Sequence, residues 1–293
     1  MTGTPTRAHL VERAVEALGR PDGMVARPTP GGGAATETLP RPAPPPPAPE
    51  ARPAEAAPRP VIPAQALLDA GLVPAGDRRV RQREELSVVQ NKVILTVRSM
   101  PATPGRNARL VLVTSARPAE GKSFLALNLA AMLAHATPQP VLLVDADGKP
   151  GSLSDKLGCG EAPGLRTLAA DVTRAPVGLV FPTAEERLSF LPCGRERAPG
   201  QAIAAATLRL AEALPRHLIV LDTPPALATS EAATLAPTVG QVLVVVQSGR
   251  TRRPELEAAL DMLDACPTLQ LVLNQASSGA TDAFGAYGYE TQG

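Results

Sequence analysis

Over the last two thirds of the chain, short continuous apolar runs alternate with stretches of helical periodicity. Residues 110–114, 141–145, 188–191, 218–222, 242–246 and 269–273 are short runs dominated by Val, Leu and Ile, broken only by Ser189 and Gln270 and ending in Thr114, Asp145 and Asp222 in three cases. Continuous runs of this length suit strands buried on both faces of a parallel sheet. Between them, residues 122–135, 203–214, 230–235 and 254–263 have the spacing of helices. The pattern predicts an α/β fold with a doubly wound, mostly parallel sheet, spanning residues 108–278.

Upstream, Leu86, Val89, Val93 and Val97 recur at three- and four-residue steps, which places them on one helix face within a helical lead-in over 64–107. That face is expected to pack on the sheet or on a neighbouring subunit. Residues 21–63 hold 14 of the 33 prolines and almost no large apolar side chain, so they read as a disordered tether. Ahead of it, Leu10, Val11, Ala14, Val15 and Leu18 fall on one face of a short amphipathic helix within residues 1–20, a docking element or a loose terminal helix. Residues 279–293 read as a flexible tail.

Composition narrows the function. The 29 basic and 28 acidic residues nearly cancel, so nothing suggests a nucleic-acid partner bound by bulk charge. Only four of the basic residues are lysines: Lys92, Lys122, Lys149 and Lys156. Cys159, Cys193 and Cys266 lie far apart without the spacing of a zinc site or a disulfide framework. No run approaches the ~20 apolar residues of a membrane span, and the N-terminus lacks a continuous hydrophobic signal segment, so the expected location is the cytoplasm.

The chemistry begins where the first strand ends. Ser115 is followed by Ala-Arg-Pro-Ala-Glu-Gly-Lys-Ser and then by a helix, which is the strand–loop–helix order of a phosphate-binding loop, with Ala116 at the first glycine position. In such a loop the backbone N–H groups and the helix N-terminus receive phosphate oxygens, and the lysine adds a point charge between the β and γ phosphates. Arg117, Ala119, Glu120, Gly121, Lys122, Ser123 and Phe124 are therefore candidate nucleotide-binding residues. The Ser123 hydroxyl is placed to hold Mg²⁺, which needs further oxygen ligands. Asp145 and Asp147 follow one apolar run and Asp222 another. In an open parallel sheet these carboxyl ends face one crevice with the loop. Asp145 and Asp222 are candidate metal ligands, and Asp145 or Asp147 could accept a proton from an incoming hydroxyl.

With those residues in view, the chain resembles the bacterial tyrosine kinases with Walker motifs, which autophosphorylate and govern capsule or exopolysaccharide export. VTSARPAEGKS resembles their first Walker motif, VLLVDADGKP their second, and LIVLDTPPAL their Walker B, in the same order. With HLVERAVEAL near the start and VLNQ near the end, the layout is most similar to exosortase-associated autokinases. The resemblance implies ATP and Mg²⁺ as cofactors. Lys122 would orient phosphates, Ser123 and Asp222 would support Mg²⁺, Asp145 or Asp147 would activate the attacking phenol, and Asn274 would sit where relatives recognise the purine. It also implies a separate membrane polysaccharide co-polymerase or chain-length determinant as partner, recruitment to the inner face of the plasma membrane, and homo-oligomers that phosphorylate in trans.

The chain's two tyrosines, Tyr287 and Tyr289, both lie in the polar tail, where the resemblance places phosphoacceptors. Where the family carries Glu-x-x-Arg-x-x-Arg for ring assembly, this chain has Glu84, Ser87 and Gln90, and Lys149 stands where an arginine is common. Two other functions share the motifs. One is a partition-type ATPase switch, although the Lys-Gly-Gly of those loops is replaced by Arg117, Pro118 and Ala119. The other is a nucleotide-bound regulatory module of a polysaccharide co-polymerase.

Overall fold

The computed structural model describes residues 59–74 and 80–276. The expected terminal helix at 1–20, most of the tether and the tyrosine-containing tail lie outside the described residues. Two helices come first, α1 (Ala64–Asp69) and α2 (Val80–Ser99). Then follow β1 (Asn107–Ser115), α3 (Lys122–Ala136), β2 (Val141–Asp145), α4 (Leu153–Lys156) and α5 (Leu165–Ala170). The remainder comprises β3 (Phe181–Pro182), β4 (Leu188–Leu191), α6 (Gly200–Ala213), β5 (Leu218–Asp222), α7 (Glu231–Leu235), β6 (Val239–Gln247), α8 (Arg253–Met262) and β7 (Leu269–Asn274).

These strands form one sheet in the order β3-β4-β2-β5-β1-β6-β7. All pairings are parallel except the short β3–β4 contact at one edge. The central strands are buried on both faces, as their unbroken apolar runs require. One face is covered by α1, α2 and α3, the other by α5, α6, α7 and α8. On α2, Val93 is fully buried and Leu86 nearly so, while Val89 and Val97 pack partly buried against the same core, so the helix face expected from periodicity lies on the sheet. From β1 the chain runs to β2 on one side and, after β5, to β6 and β7 on the other, which opens a crevice at the carboxyl end of β1.

The tether ends earlier than its composition suggested. Residues 59–63, expected to be disordered, lie along the sheet edge beside β3. Ile62 donates its N–H to Pro182 O at 2.9 Å and accepts from Ala184 N at 2.9 Å, and its side chain is buried. Prolines remove donors, but a single Ile with both backbone groups paired is enough to dock the strand.

Candidate active site

The loop between β1 and α3 is held by side chains from three other elements. Gly121, which precedes α3, has φ +95°, and a Cβ there would lie 2.0 Å from Asn274 Nδ2. Only glycine fits, because the conformation is left-handed and the space above it is taken. That amide, at the end of β7, donates to the Glu120 carbonyl at 2.9 Å. Glu120 is buried, and its carboxylate accepts from the Arg117 N–H at 2.9 Å and from the Thr251 hydroxyl. The Arg117 side chain turns away to Glu255 at the start of α8, at 2.8 Å. Ala119, exposed at the loop apex, has φ +67°. Of the candidate loop residues, Arg117, Glu120 and Asn274 thus act as braces. Thr251 and Glu255 carried no motif, and nothing in the sequence singled them out.

Four charged groups meet at the mouth of the loop. The nearly buried Lys122 ammonium lies 2.6 Å from Asp147 Oδ2, 3.6 Å from Asp222 Oδ1 and 3.1 Å from Ser123 Oγ. Burial opposes its charge, but Asp222, Asp147 and Asp145 outweigh that and hold its pKa above the ordinary lysine value. Asp222 and Asp145 are register partners on neighbouring strands, so both emerge at the same level of the sheet. Asp222 is fully buried, and burial pushes its carboxyl up to about 7 against the pull of Lys122.

The structure separates the two acids that follow β2. Asp145 Oδ1 accepts from the N–H groups of Asp147 at 2.9 Å and Gly148 at 3.4 Å. Its Oδ2 accepts from the Ser154 N–H at 2.8 Å and the Ser154 hydroxyl at 2.6 Å. Asp145, expected to share metal and base duties, therefore shapes the turn after β2 and has little capacity left for a ligand. Asp147 Oδ1 and both oxygens of Asp222 are buried with no hydrogen-bond partner. Buried carboxylate oxygens in that condition are costly unless something else meets them. With the Ser123 hydroxyl alongside, the Asp222 oxygens fit a hard divalent cation that takes one or two protein carboxylates and completes its shell with phosphate and water, which leaves Asp147 Oδ1 for another partner. Among the described residues no group of three or more His, Cys, Asp or Glu side chains is gathered into a protein-only metal cage.

A cavity of about 560 Å³ opens beside the loop, between α2, the start of α3 and the ends of β6 and β7. Leu86, Val89, Phe124 and Val272 give it apolar walls, and Gln82 and Asn274 give it polar ones. Phe124 thus belongs to a chamber adjoining the phosphate loop.

The curated proteins similar to this chain are named tyrosine-protein kinases. The chain is 29% identical over 198 residues to the tyrosine-protein kinase Wzc of Salmonella typhimurium, covering 62% of this chain and 26% of that protein. It is 28% identical over 193 residues to the tyrosine-protein kinase YwqD of Bacillus subtilis, covering 64% and 81% respectively. The solved kinase domain of VpsO superposes with a TM-score of 0.52 at 26% identity, over 69% of this chain and 100% of that domain. This chain is similar to the bacterial tyrosine kinases. No family model matches it. It spans about a quarter of the length of the first curated kinases it matches, 26% and 28%. On α2, Ser87 donates to the Glu84 carbonyl at 2.7 Å and Gln90 is buried. Tyr287 and Tyr289 lie outside the described residues.

Proposed function

We propose that this chain is an ATP- and Mg²⁺-dependent protein-tyrosine autokinase acting in exopolysaccharide or capsule synthesis. The observation that carries the proposal is the buried cluster of Lys122, Asp147 and Asp222, whose unmatched carboxylate oxygens face a glycine-pinned phosphate loop. Lys122 steers the β and γ phosphates, and the loop N–H groups receive their oxygens. Ser123 and Asp222 would hold Mg²⁺, which supplies charge neutralisation for the phosphates when bound. The cavity beside Asn274 and Phe124 takes the nucleoside. Asp147 offers Oδ1 to the phenol of an incoming tyrosine, accepts its proton, and lets the phenolate oxygen bond to the γ-phosphorus as ADP leaves.

Tyr287 and Tyr289 are the acceptors within the chain, and their place in the tail favours transfer in trans between copies. Among the described residues no helix is long and apolar enough to cross a membrane. Activation by a separate membrane co-polymerase at the inner face of the plasma membrane, in the manner expected of an exosortase-associated autokinase, belongs to the same reading.

The test is incubation with γ-labelled ATP and Mg²⁺, with and without the cytoplasmic segment of the co-polymerase. Label is expected on phosphotyrosine, absent in Lys122→Met and in the Tyr287→Phe/Tyr289→Phe double variant. Hydrolysis without protein label under both conditions would replace the kinase by an ATPase switch. Stoichiometric binding without turnover would indicate a regulatory module.

A further inference from the structure

On the side of the site away from the phosphate loop lie two cations with no assigned task. Asp147 gives Oδ2 to Lys122, and its Oδ1 faces Lys149 Nζ at 3.9 Å. The next residue, Gly148, has φ +59°, and a Cβ there would lie 3.1 Å from both Cζ and Nη2 of Arg166. The guanidinium therefore lies directly over the turn that carries Asp147. The main chain that carries it is held by a relay: the Arg166 backbone N–H donates to Cys193 O at 2.7 Å, Cys193 N–H to Ser154 Oγ at 3.0 Å, and Ser154 Oγ to Asp145 at 2.6 Å.

Arg166 is half-buried, yet among the described residues its side chain makes no hydrogen bond and no ion pair. Several other arginines of the fold do find partners. Arg106 and Arg109 end on backbone carbonyls, and Arg117 and Arg253 on carboxylates. Partial desolvation of a guanidinium without a partner is unfavourable, and Arg166 also sits in the first turn of α5, where the helix favours negative charge. A local rule broken beside a reactive carboxylate points to a ligand.

We infer that Arg166, assisted by Lys149, is an acceptor-recognition site that receives the carboxylate of an acidic residue flanking the tyrosine presented to Asp147. The inference rests on the kinase reading. The chain's own tail has the matching chemistry: Glu290 directly follows Tyr289, and residues 277–293 contain Asp282 and Glu290 but no lysine or arginine. A phosphate of ATP is the competing anion. It is already met by Lys122 and the loop, whereas Arg166 is anchored to the β2 and β4 turns on the opposite side of Asp147.

The experiment uses the full chain as kinase, with γ-labelled ATP, Mg²⁺ and three peptides spanning 279–293, all carrying Tyr287→Phe: otherwise native, Glu290→Gln and Glu290→Lys. KM for the peptide is expected to rise about fivefold for Glu290→Gln, the size of one partly exposed charge pair, and further for Glu290→Lys, with kcat nearly unchanged. An Arg166→Glu kinase should invert the order and prefer the Glu290→Lys peptide. Equal KM for all three peptides with the native kinase overturns the inference without needing any kinase variant to fold. Arg166→Glu slowing all peptides alike, or raising KM for ATP instead, also overturns it. If none of the peptides is labelled while ATP is hydrolysed, the kinase reading itself fails and the inference falls with it.

Discussion

Asp145 and Asp147 stand two positions apart, follow the same strand and carry the same side chain, yet the structure gives them different work. Asp145 satisfies four donors from its own turn and from Ser154, whereas Asp147 keeps one oxygen free beside Lys122. Asp145→Asn turns an acceptor pair into an amide facing N–H donors, a loss of about 2–3 kcal/mol and a fall in Tm of roughly 5–10 °C. Scanning calorimetry should show a larger fall for Asp145→Asn than for Asp147→Asn, while phosphotyrosine labelling should be lost in Asp147→Asn at temperatures where it remains folded. A larger fall for Asp147→Asn would reverse the assignment. Sequence placed both acids at the crevice, because an Asp after a buried apolar run is visible there. Which of them is spent on the turn depends on Ser154, which lies beyond the loop and has no signature of its own. Thr251, the partner of Glu120, was illegible for the same reason: one hydroxyl in a loop gains meaning only from what the fold brings next to it.

The strands and the major helices were more legible, since burial on both faces leaves an apolar run that nothing interrupts. Residues 141–145, 188–191 and 218–222 match their strands end to end, whereas β1 and β6 extend beyond their apolar runs into polar residues such as Asn107 and Gln247. The short helices α4 and α5 escaped notice, being too short for periodicity to show. A device invisible in the sequence closes α6. Arg109, on β1, donates to the carbonyls of Ala211, Leu214 and His217, so one guanidinium satisfies the helix end and the turn into β5. Burial, with Arg109 and then Arg216 close by, holds the His217 imidazole below its ordinary 6.5. The unfolded chain therefore takes up this proton before the folded one, so the His217 contribution to stability is complete above about 6.5 and is lost as pH falls through the lowered value. His217→Gln should flatten the slope of denaturant midpoint against pH just below 6.5, and an unchanged slope would mean that the proton is bound equally in both states. Arg109→Met should destabilise by about 2–3 kcal/mol, because it leaves three carbonyls short of their donor.

At the scale of the molecule, the segment 59–74 decides where the folded part of the chain begins. Composition assigned its first residues to the tether, because Pro58, Pro60 and Pro63 continue the proline-rich pattern. Ile62, Leu67 and Leu72 are nonetheless buried in the core beneath α3, and Asn128 ties the segment down. Its Oδ1 accepts from Val73 N–H at 2.8 Å, and its amide donates to the carbonyls of Gly71 and Phe124 at 3.0 and 2.9 Å. Arg59 reaches Gly178 O at 3.0 Å and lies over the Phe181 ring. The anchor thus leads from the sheet edge to the helix that begins with Lys122, so that its loss exposes the back of the phosphate-loop helix. Burying three large aliphatic side chains is worth about 1.5–3 kcal/mol each. A chain beginning at residue 80 should therefore melt at least about 10 °C below one beginning at residue 59, given 2–4 °C per kcal/mol for a domain of this size. Leu67→Ala in the full chain should reproduce part of that loss, about 2–5 kcal/mol. If the two truncated chains melt together, the segment contributes nothing to the fold and the boundary returns to where composition put it. If they differ while ATP binding by the shorter chain at low temperature equals that of the longer, the anchor stabilises α3 without shaping the loop, because the geometry around Lys122 is then set from the sheet side by Glu120, Thr251 and Asn274 alone.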